Sequence, residues 1–202
     1  MDDRRSYDAV LCDLDGVLRL YADGNPPLER DLGLEPGTLF SVAFTPGMVD
    51  RAVTGEITHE EWQDEIAERL TELCGSAEDA AELARCFTTW PQRVNTPMLE
   101  LLSAVRRRVP VVLVTNATTR LEKDLDRLGL LNAVDEIVNS SAVGVAKPDR
   151  RIYEIAAERA GVPPRRCVFI DDREENVAAA RDLGMTAVLY RDPETVRAVL
   201  GL

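Results

Sequence analysis

The sequence predicts an α/β protein, a parallel β-sheet between layers of helices, broken once by a helical insertion. Two patterns predict the sheet and its helices. From about Val94 onward, short apolar runs alternate with stretches of helical periodicity, the rhythm of strands joined by right-handed crossovers. Between about Arg19 and Trp90 that rhythm stops and only helical signals remain. A third feature points past the fold: the first apolar run, Ala9-Val10-Leu11-Cys12, leads directly into Asp13-Leu14-Asp15-Gly16-Val17.

The elements follow in chain order. A first strand covers residues 7–12. The insertion holds no clear strand. In it, Thr58-His59-Glu60-Glu61 has the form of a capping box, and Trp62, Ile66 and Leu70 follow at helical spacing. That stripe reads as the insertion's own core rather than a ligand box, and His59, at the helix start, is expected to be exposed. Ser76 caps a second helix that runs through Phe87, while Pro46-Gly47, Gly55 and Cys74-Gly75 punctuate. Asn95-Thr96-Pro97 then starts a helix, with Asn95 as its cap and proline in its first turn. Strands are expected at 111–114, 135–138, 167–170 and 186–190, and helices at 98–108, 120–128, 151–160 and 174–183. The run Val111-Val112-Leu113-Val114 lacks alternation, as a strand covered on both faces should. Gly129, Gly161 and Gly184 stand where helices end.

Composition narrows the function. With 202 residues and 45% hydrophobic content the chain can bury a substantial core, and its net charge is −12. That balance argues against nucleic acid as a partner, which calls for a basic footprint. No apolar run approaches the ~20 residues of a membrane span. The start, Met1-Asp2-Asp3-Arg4-Arg5, lacks the apolar region of a signal peptide, so the expectation is a cytoplasmic protein without a membrane partner. Cys12, Cys74, Cys86 and Cys167 are scattered, and Cys12 and Cys167 lie in strand-like runs where a reduced, buried thiol is expected. A single histidine, His59, makes a Ser-His-Asp or Cys-His mechanism unsuitable. The basic residues comprise 22 arginines and two lysines, Lys123 and Lys147. In such a chain each lysine raises the question of why arginine would not serve.

Four polar clusters stand at strand ends, where parallel sheets bind ligands. Asp13 and Asp15 are two apart in extended backbone and can converge on one point. Gly16 allows a sharp turn and a close approach. Such a pair can hold Mg²⁺ through oxygen or serve as nucleophile and general acid; alone it is also an ordinary turn. Thr115-Asn116 can donate to an anion. Lys147-Pro148-Asp149 fixes a cation ahead of a helix. Asp171-Asp172 ends a buried run, with Asn176 four residues beyond Asp172, and adjacent acids there need a cation or donors to satisfy them.

In this order, D-x-D-G-V, a strand ending in Thr-Asn, an isolated Lys-Pro-Asp and I-D-D-x-x-x-N resemble the haloacid dehalogenase-like (HAD) hydrolase superfamily. All four of its motifs are present, across essentially the whole chain. Gly144 through Tyr153, followed by Phe169-Ile170-Asp171-Asp172, is similar to the branch of sugar-phosphate phosphatases and the N-terminal phosphatase domain of epoxide hydrolases. The resemblance implies a Rossmann-like three-layer core from 1–18 and 95–202 and a small α-helical cap over 19–94. It implies Asp13 as the nucleophile that becomes an aspartyl phosphate and Asp15 as the acid and base. It implies a Mg²⁺ site from the Asp13 carboxylate, the Asp15 backbone carbonyl and Asp172, with Asp171 beside them. Gly16, Thr115, the Asn116 backbone and Lys147 would hold the phosphoryl group. Asn176 stands where many relatives carry a second acid, which implies a supporting hydrogen bond rather than a metal bond.

The expected activity is hydrolysis of a small phosphorylated metabolite, by a monomer or homodimer. A phosphoglucomutase-type phosphotransferase shares all four motifs and differs in the cap. A 2-haloacid dehalogenase uses the same nucleophile without metal, but members of that type lack the second aspartate that stands here as Asp15. A non-catalytic binding protein on this fold would be expected to lose Asp13, Asp15 or Lys147, and none is lost. Arg19, Tyr21, Phe44 and Trp90 are candidates for specificity by position alone.

Overall fold

The computed structural model describes residues 7–202. Met1-Asp2-Asp3-Arg4-Arg5, read above as free of an apolar leader, lies outside them. The elements in order are β1 (Ala9–Cys12), β2 (Arg19–Tyr21), α1 (Pro27–Asp31), α2 (Thr38–Ala43), α3 (Met48–Val53), α4 (His59–Cys74), α5 (Ala77–Thr89), β3 (Gln92–Val94), α6 (Thr96–Arg106), β4 (Val111–Thr115), α7 (Leu121–Arg127), β5 (Glu136–Asn139), α8 (Ser140–Val143), α9 (Arg150–Arg159), β6 (Cys167–Asp171), α10 (Glu174–Asp182), β7 (Thr186–Leu189) and α11 (Pro193–Leu200).

Five strands form a parallel sheet in the order β5-β4-β1-β6-β7. The central strands read as continuous apolar runs because alternate residues serve opposite faces. Val10 and Cys12 join Val111, Leu113, Val168 and Ile170 under α6, α7 and α11. Ala9 and Leu11 join Val112, Val114 and Phe169 under α9 and α10. This gives the expected three-layer, Rossmann-like core. Each fully buried leucine or phenylalanine contributes about 1.5–3 kcal/mol relative to an exposed one. Because β1 is central, its C-terminal end lies between the ends of β4 and β6, and the residues that leave these strands share one edge.

The expected helices 98–108, 120–128, 151–160 and 174–183 appear within two residues of those bounds. Gly129, Gly161 and Gly184 all take positive φ, as helix ends require. Asn95 departs from its expected role. It makes no side-chain cap bond; its amide donates instead to the Val17 carbonyl (2.8 Å) and the Tyr190 hydroxyl (2.7 Å), tying the chain after β3 to the sheet.

The helical segment has a core of its own, in which Trp62, Ile66 and Leu70 pack with Leu39, Met48 and Leu83. Thr58 and Glu61 form the capping box of α4, and Ser76 accepts from the Asp79 N–H to cap α5. The segment is not free of strands: β2 and β3 pair antiparallel, Arg19 with Val94 through Tyr21 with Gln92. Each is three residues long, too short for period-2 alternation to show. The helices α1–α5 lie between these strands, so the ladder, a two-stranded sheet apart from the five-stranded one, closes the base of the segment. Gly55 brings the segment against α8, where a Cβ would lie 2.2 Å from the Ser141 carbonyl oxygen. Buried Glu29 accepts the N–H groups of Gly37 and Leu39 (2.8 and 2.7 Å) at the start of α2. No helix among the described residues is long and apolar enough to cross a membrane.

Candidate active site

The ends of β1, β4 and β6 and the loop before α9 meet at one polar cavity of about 580 Å³. The Asp13 N–H donates to the Ile170 carbonyl (2.8 Å), which fixes where its side chain leaves the sheet. One carboxylate oxygen lies 2.7 Å from Lys147 Nζ and accepts the Leu14 N–H at 2.7 Å. The same ammonium reaches Asp171 Oδ2 at 2.7 Å. Asp171 Oδ1 accepts from Asn176 Nδ2 and the Arg173 N–H, both at 2.9 Å. Asn176 therefore makes a supporting hydrogen bond.

Oxygen atoms of Asp13, Asp171 and Asp172 lie within 4.8 Å of one another. Three carboxylates face one lysine, which leaves an excess of two negative charges if all ionise. Burial raises the Asp13 carboxyl, Lys147 opposes this and Asp171 adds to it, for a pKa of about 7. Burial, then Asp171, raises Asp172. Burial alone would lower Lys147, but the Asp13 and Asp171 carboxylates outweigh it and hold the ammonium charged. Such a deficit of positive charge in an all-oxygen cluster fits a hard divalent cation.

Gly16 is needed for a specific reason. Its φ is +81°, and a Cβ there would lie 2.1 Å from Asp172 Oδ2. Thr115 is buried at the end of β4 and lines the cavity with Asn116. The Asn116 side chain has a role absent from the sequence reading. Its Nδ2 donates to the Lys147 carbonyl (2.8 Å), and its Oδ1 accepts the Lys147 N–H (2.7 Å). This clasp sets the backbone from which the lysine reaches inward. The Tyr153 hydroxyl, from α9, donates to the Asn176 carbonyl.

Two expectations need correction. Asp15 does not converge with Asp13 on one point. Its carboxylate is turned onto buried Arg19, which holds both oxygens (Nε–Oδ1 2.5 Å, Nη2–Oδ2 2.9 Å), and it is not one of the three clustered carboxylates. The glycine turn lets the chain reverse after Asp15, so strand alternation no longer fixes where it points. His59 is not exposed but 5% accessible. Its backbone N–H donates to Thr119 Oγ1 (2.9 Å), and its ring nitrogens face the hydroxyls of Thr118 (3.0 Å) and Thr88 (3.3 Å). The helix start that it occupies is covered by the loop after β4.

Burial lowers the His59 pKa, helped by Arg120 and opposed by Glu60 and Asp124. The unfolded chain therefore takes up a proton there before the folded one does. The His59 contribution to stability is present above the ordinary value of about 6.5 and is lost as pH falls below it. The raised Asp13 carboxyl works in the opposite direction below about pH 7. Comparison with His59→Gln isolates the histidine. Between about pH 7.5 and 5.5 the native protein should lose stability relative to this variant, as measured by denaturant unfolding. Parallel pH dependence would show that His59 contributes no such slope.

The sequence profile of the haloacid dehalogenase-like hydrolases matches residues 7–184. The chain belongs to this family. This HAD-like hydrolase is 31% identical to a phosphatase from Mycobacterium tuberculosis over 192 residues, covering 91% of this chain and 87% of that one. It is 28% identical to bifunctional epoxide hydrolase 2 of Rattus norvegicus over 200 residues, covering 89% of this chain and 36% of the relative. The chain thus spans about a third of that larger protein. Among solved structures, a HAD family enzyme from Bacteroides thetaiotaomicron in complex with magnesium and inorganic phosphate superposes with a TM-score of 0.70. The identity is 22%, and the match covers 92% of this chain and 94% of that one. At that identity the likeness speaks for the fold.

Proposed function

We propose that the chain is a Mg²⁺-dependent phosphomonoesterase acting on a small phosphorylated substrate through an aspartyl phosphate on Asp13. The observation that carries this reading is the buried Asp13 carboxylate, held at a strand end by Lys147 and grouped with Asp171 and Asp172 at a polar cavity. The phosphatase relative over nearly the whole chain supports it, as do the magnesium and inorganic phosphate bound by the Bacteroides enzyme.

In this reading the Asp13 oxygen not held by Lys147 attacks phosphorus as the ester bond to the leaving oxygen breaks. Asp15 gives its proton to that oxygen, and the alcohol departs. Asp15 then takes a proton from water, which attacks phosphorus, freeing inorganic phosphate and the Asp13 carboxylate. Because Arg19 holds both Asp15 oxygens, each transfer needs Asp15 to leave that pairing. Lys147 and Thr115 bind the phosphoryl oxygens together with the Asn116 backbone, and the Asn116 side chain keeps Lys147 in place. Asp13, Asp172 and the Asp15 carbonyl would hold the ion, with Asp171 positioned by Asn176 beside them. The ion would neutralise phosphoryl charge that otherwise repels an attacking carboxylate. The helical segment 19–94 serves as the cap.

The test is phosphate release from acetyl phosphate and an aryl phosphate. Chelator should remove the activity and Mg²⁺ restore it. Full phosphate release in excess chelator would contradict the metal dependence, and halide release from a 2-haloacid without phosphate release would favour dehalogenase chemistry instead. Gly16→Ala should raise the Mg²⁺ concentration needed for half-maximal rate and lower kcat/KM by about 10²-fold, because a displaced Asp172 misplaces the ion. An unchanged Mg²⁺ requirement would show that Asp172 does not bind it.

A further inference from the structure

The polar cavity continues away from Asp13 into a second compartment of about 170 Å³. Asp15, Phe44, Val49, Val53 and Asn116 line both spaces. Beyond them the walls turn aromatic. The Phe87 ring centroid lies 5.1 Å from that of Trp62, 6.0 Å from Phe44 and 5.3 Å from Phe40. A smaller space of about 70 Å³ opens past Phe87 and Tyr21, toward Phe40 and Trp90. Phe44 stands at the junction with 53% of its surface exposed, an apolar ring left facing the cavity. A dry cavity of about 150 Å³ lined by apolar side chains accommodates benzene, so this compartment has room for one ring.

Its charges are already committed. Arg19 is paired with both oxygens of Asp15 and lies 3.7 Å from Asp124. Asp124 is itself paired with Arg120 (3.1 Å) and lies 3.6 Å from Arg127, so the charges along this wall answer one another. The His59 ring nitrogens face Thr118 and Thr88, and burial disfavours the ring's charged form. A second carboxylate or phosphate entering here would reach a cation only by displacing Asp15 or Asp124 from these pairs, and Arg19 keeps Asp124 beside it when Asp15 turns to the leaving oxygen.

We propose that the ester's leaving group is an uncharged alcohol or phenol bearing one ring-sized apolar group, seated against the wall that Phe44, Trp62 and Phe87 form. This rests on the phosphatase reading and specifies its substrate class. Burial of the ring supplies the affinity. The paired acids exclude anionic competitors, as an element built against the wrong partner does.

The experiment compares kcat/KM for phenethyl phosphate, propyl phosphate and O-phosphoserine, with acetyl phosphate as a substrate that has almost no leaving group to bind. Phenethyl and propyl alcohols leave with similar ease, so their ratio reads the compartment. The expected result is a preference of about tenfold or more for the phenethyl ester, with phosphoserine the poorest of the three. Phe87→Ala should bring the ratio toward one, and the milder Phe87→Leu should leave it intermediate. Equal rates on the two neutral esters, a preference for phosphoserine, or an unchanged ratio in both Phe87 variants would overturn the inference. Turnover of acetyl phosphate with equal neutral esters would overturn this inference alone; no turnover of any ester would remove the phosphatase reading as well.

Discussion

Asp13→Asn should abolish phosphate release while leaving the fold intact. An amide keeps the size of the side chain and can still accept the Leu14 N–H, but it cannot form the acyl phosphate. The uncatalysed reaction is so slow that losing the nucleophile costs many decades of rate. Stability should change little or improve. A charge that is buried against its preference is removed, as the raised Asp13 pKa of about 7 indicates, although Lys147 loses one of its two carboxylate partners. Phosphate release and thermal unfolding together check this. Residual activity above about one per cent of the native rate would mean that another group attacks phosphorus.

Lys147→Arg should fail to restore function despite preserving charge. The ammonium is a point charge placed 2.7 Å from both Asp13 and Asp171 and almost wholly enclosed. A guanidinium is wider, planar and demands fork geometry. The buried pocket beside Phe169, whose ring centroid is 5.8 Å from Nζ, offers no path around that mismatch. We expect kcat to fall by about 10²-fold or more, with a smaller change in KM, because the lysine acts on charge that is redistributed during transfer. Lys147→Ala leaves two buried acids facing each other and should also lower stability by about 3–5 kcal/mol. If the arginine variant keeps more than about half of the native kcat/KM, the lysine is only a general source of charge.

What the sequence disclosed follows from how local each signal is. Asp13 and Asp171-Asp172 were legible because each closes an apolar run and a parallel sheet gathers strand ends on one edge; Lys147 stood out beside the apolar Val145-Ala146, but it follows the short helix α8 rather than a strand, and the loop before α9 brings it to that edge. Gly16 was legible as a turn, while its clearance from Asp172 was not, since that contact joins distant parts of the chain. The Asn116 clasp on Lys147 and the burial of His59 against Thr118 are equally non-local, whereas the turn of Asp15 onto Arg19 spans only four residues and was hidden by the reversal of the chain at Gly16. β2 and β3 escaped because three residues carry too little alternation to read. α11 could have been found: Asp192-Pro193 is a capping residue followed by proline, and Asp192 does accept the Thr195 N–H. Arg19, Tyr21, Phe44 and Trp90 were singled out by position, and all four line the compartments around the aromatic cluster.

The most direct test of the account is to trap the enzyme during turnover. Protein mixed with Mg²⁺ and acetyl phosphate, quenched in acid and digested at low pH, should yield a phosphorylated peptide containing Asp13, identified by mass spectrometry. Asp13→Asn should give none. Phosphate carried on any other residue, or rapid turnover with Asp13 never modified at any quench time, would contradict the central claim that this carboxylate takes the phosphoryl group.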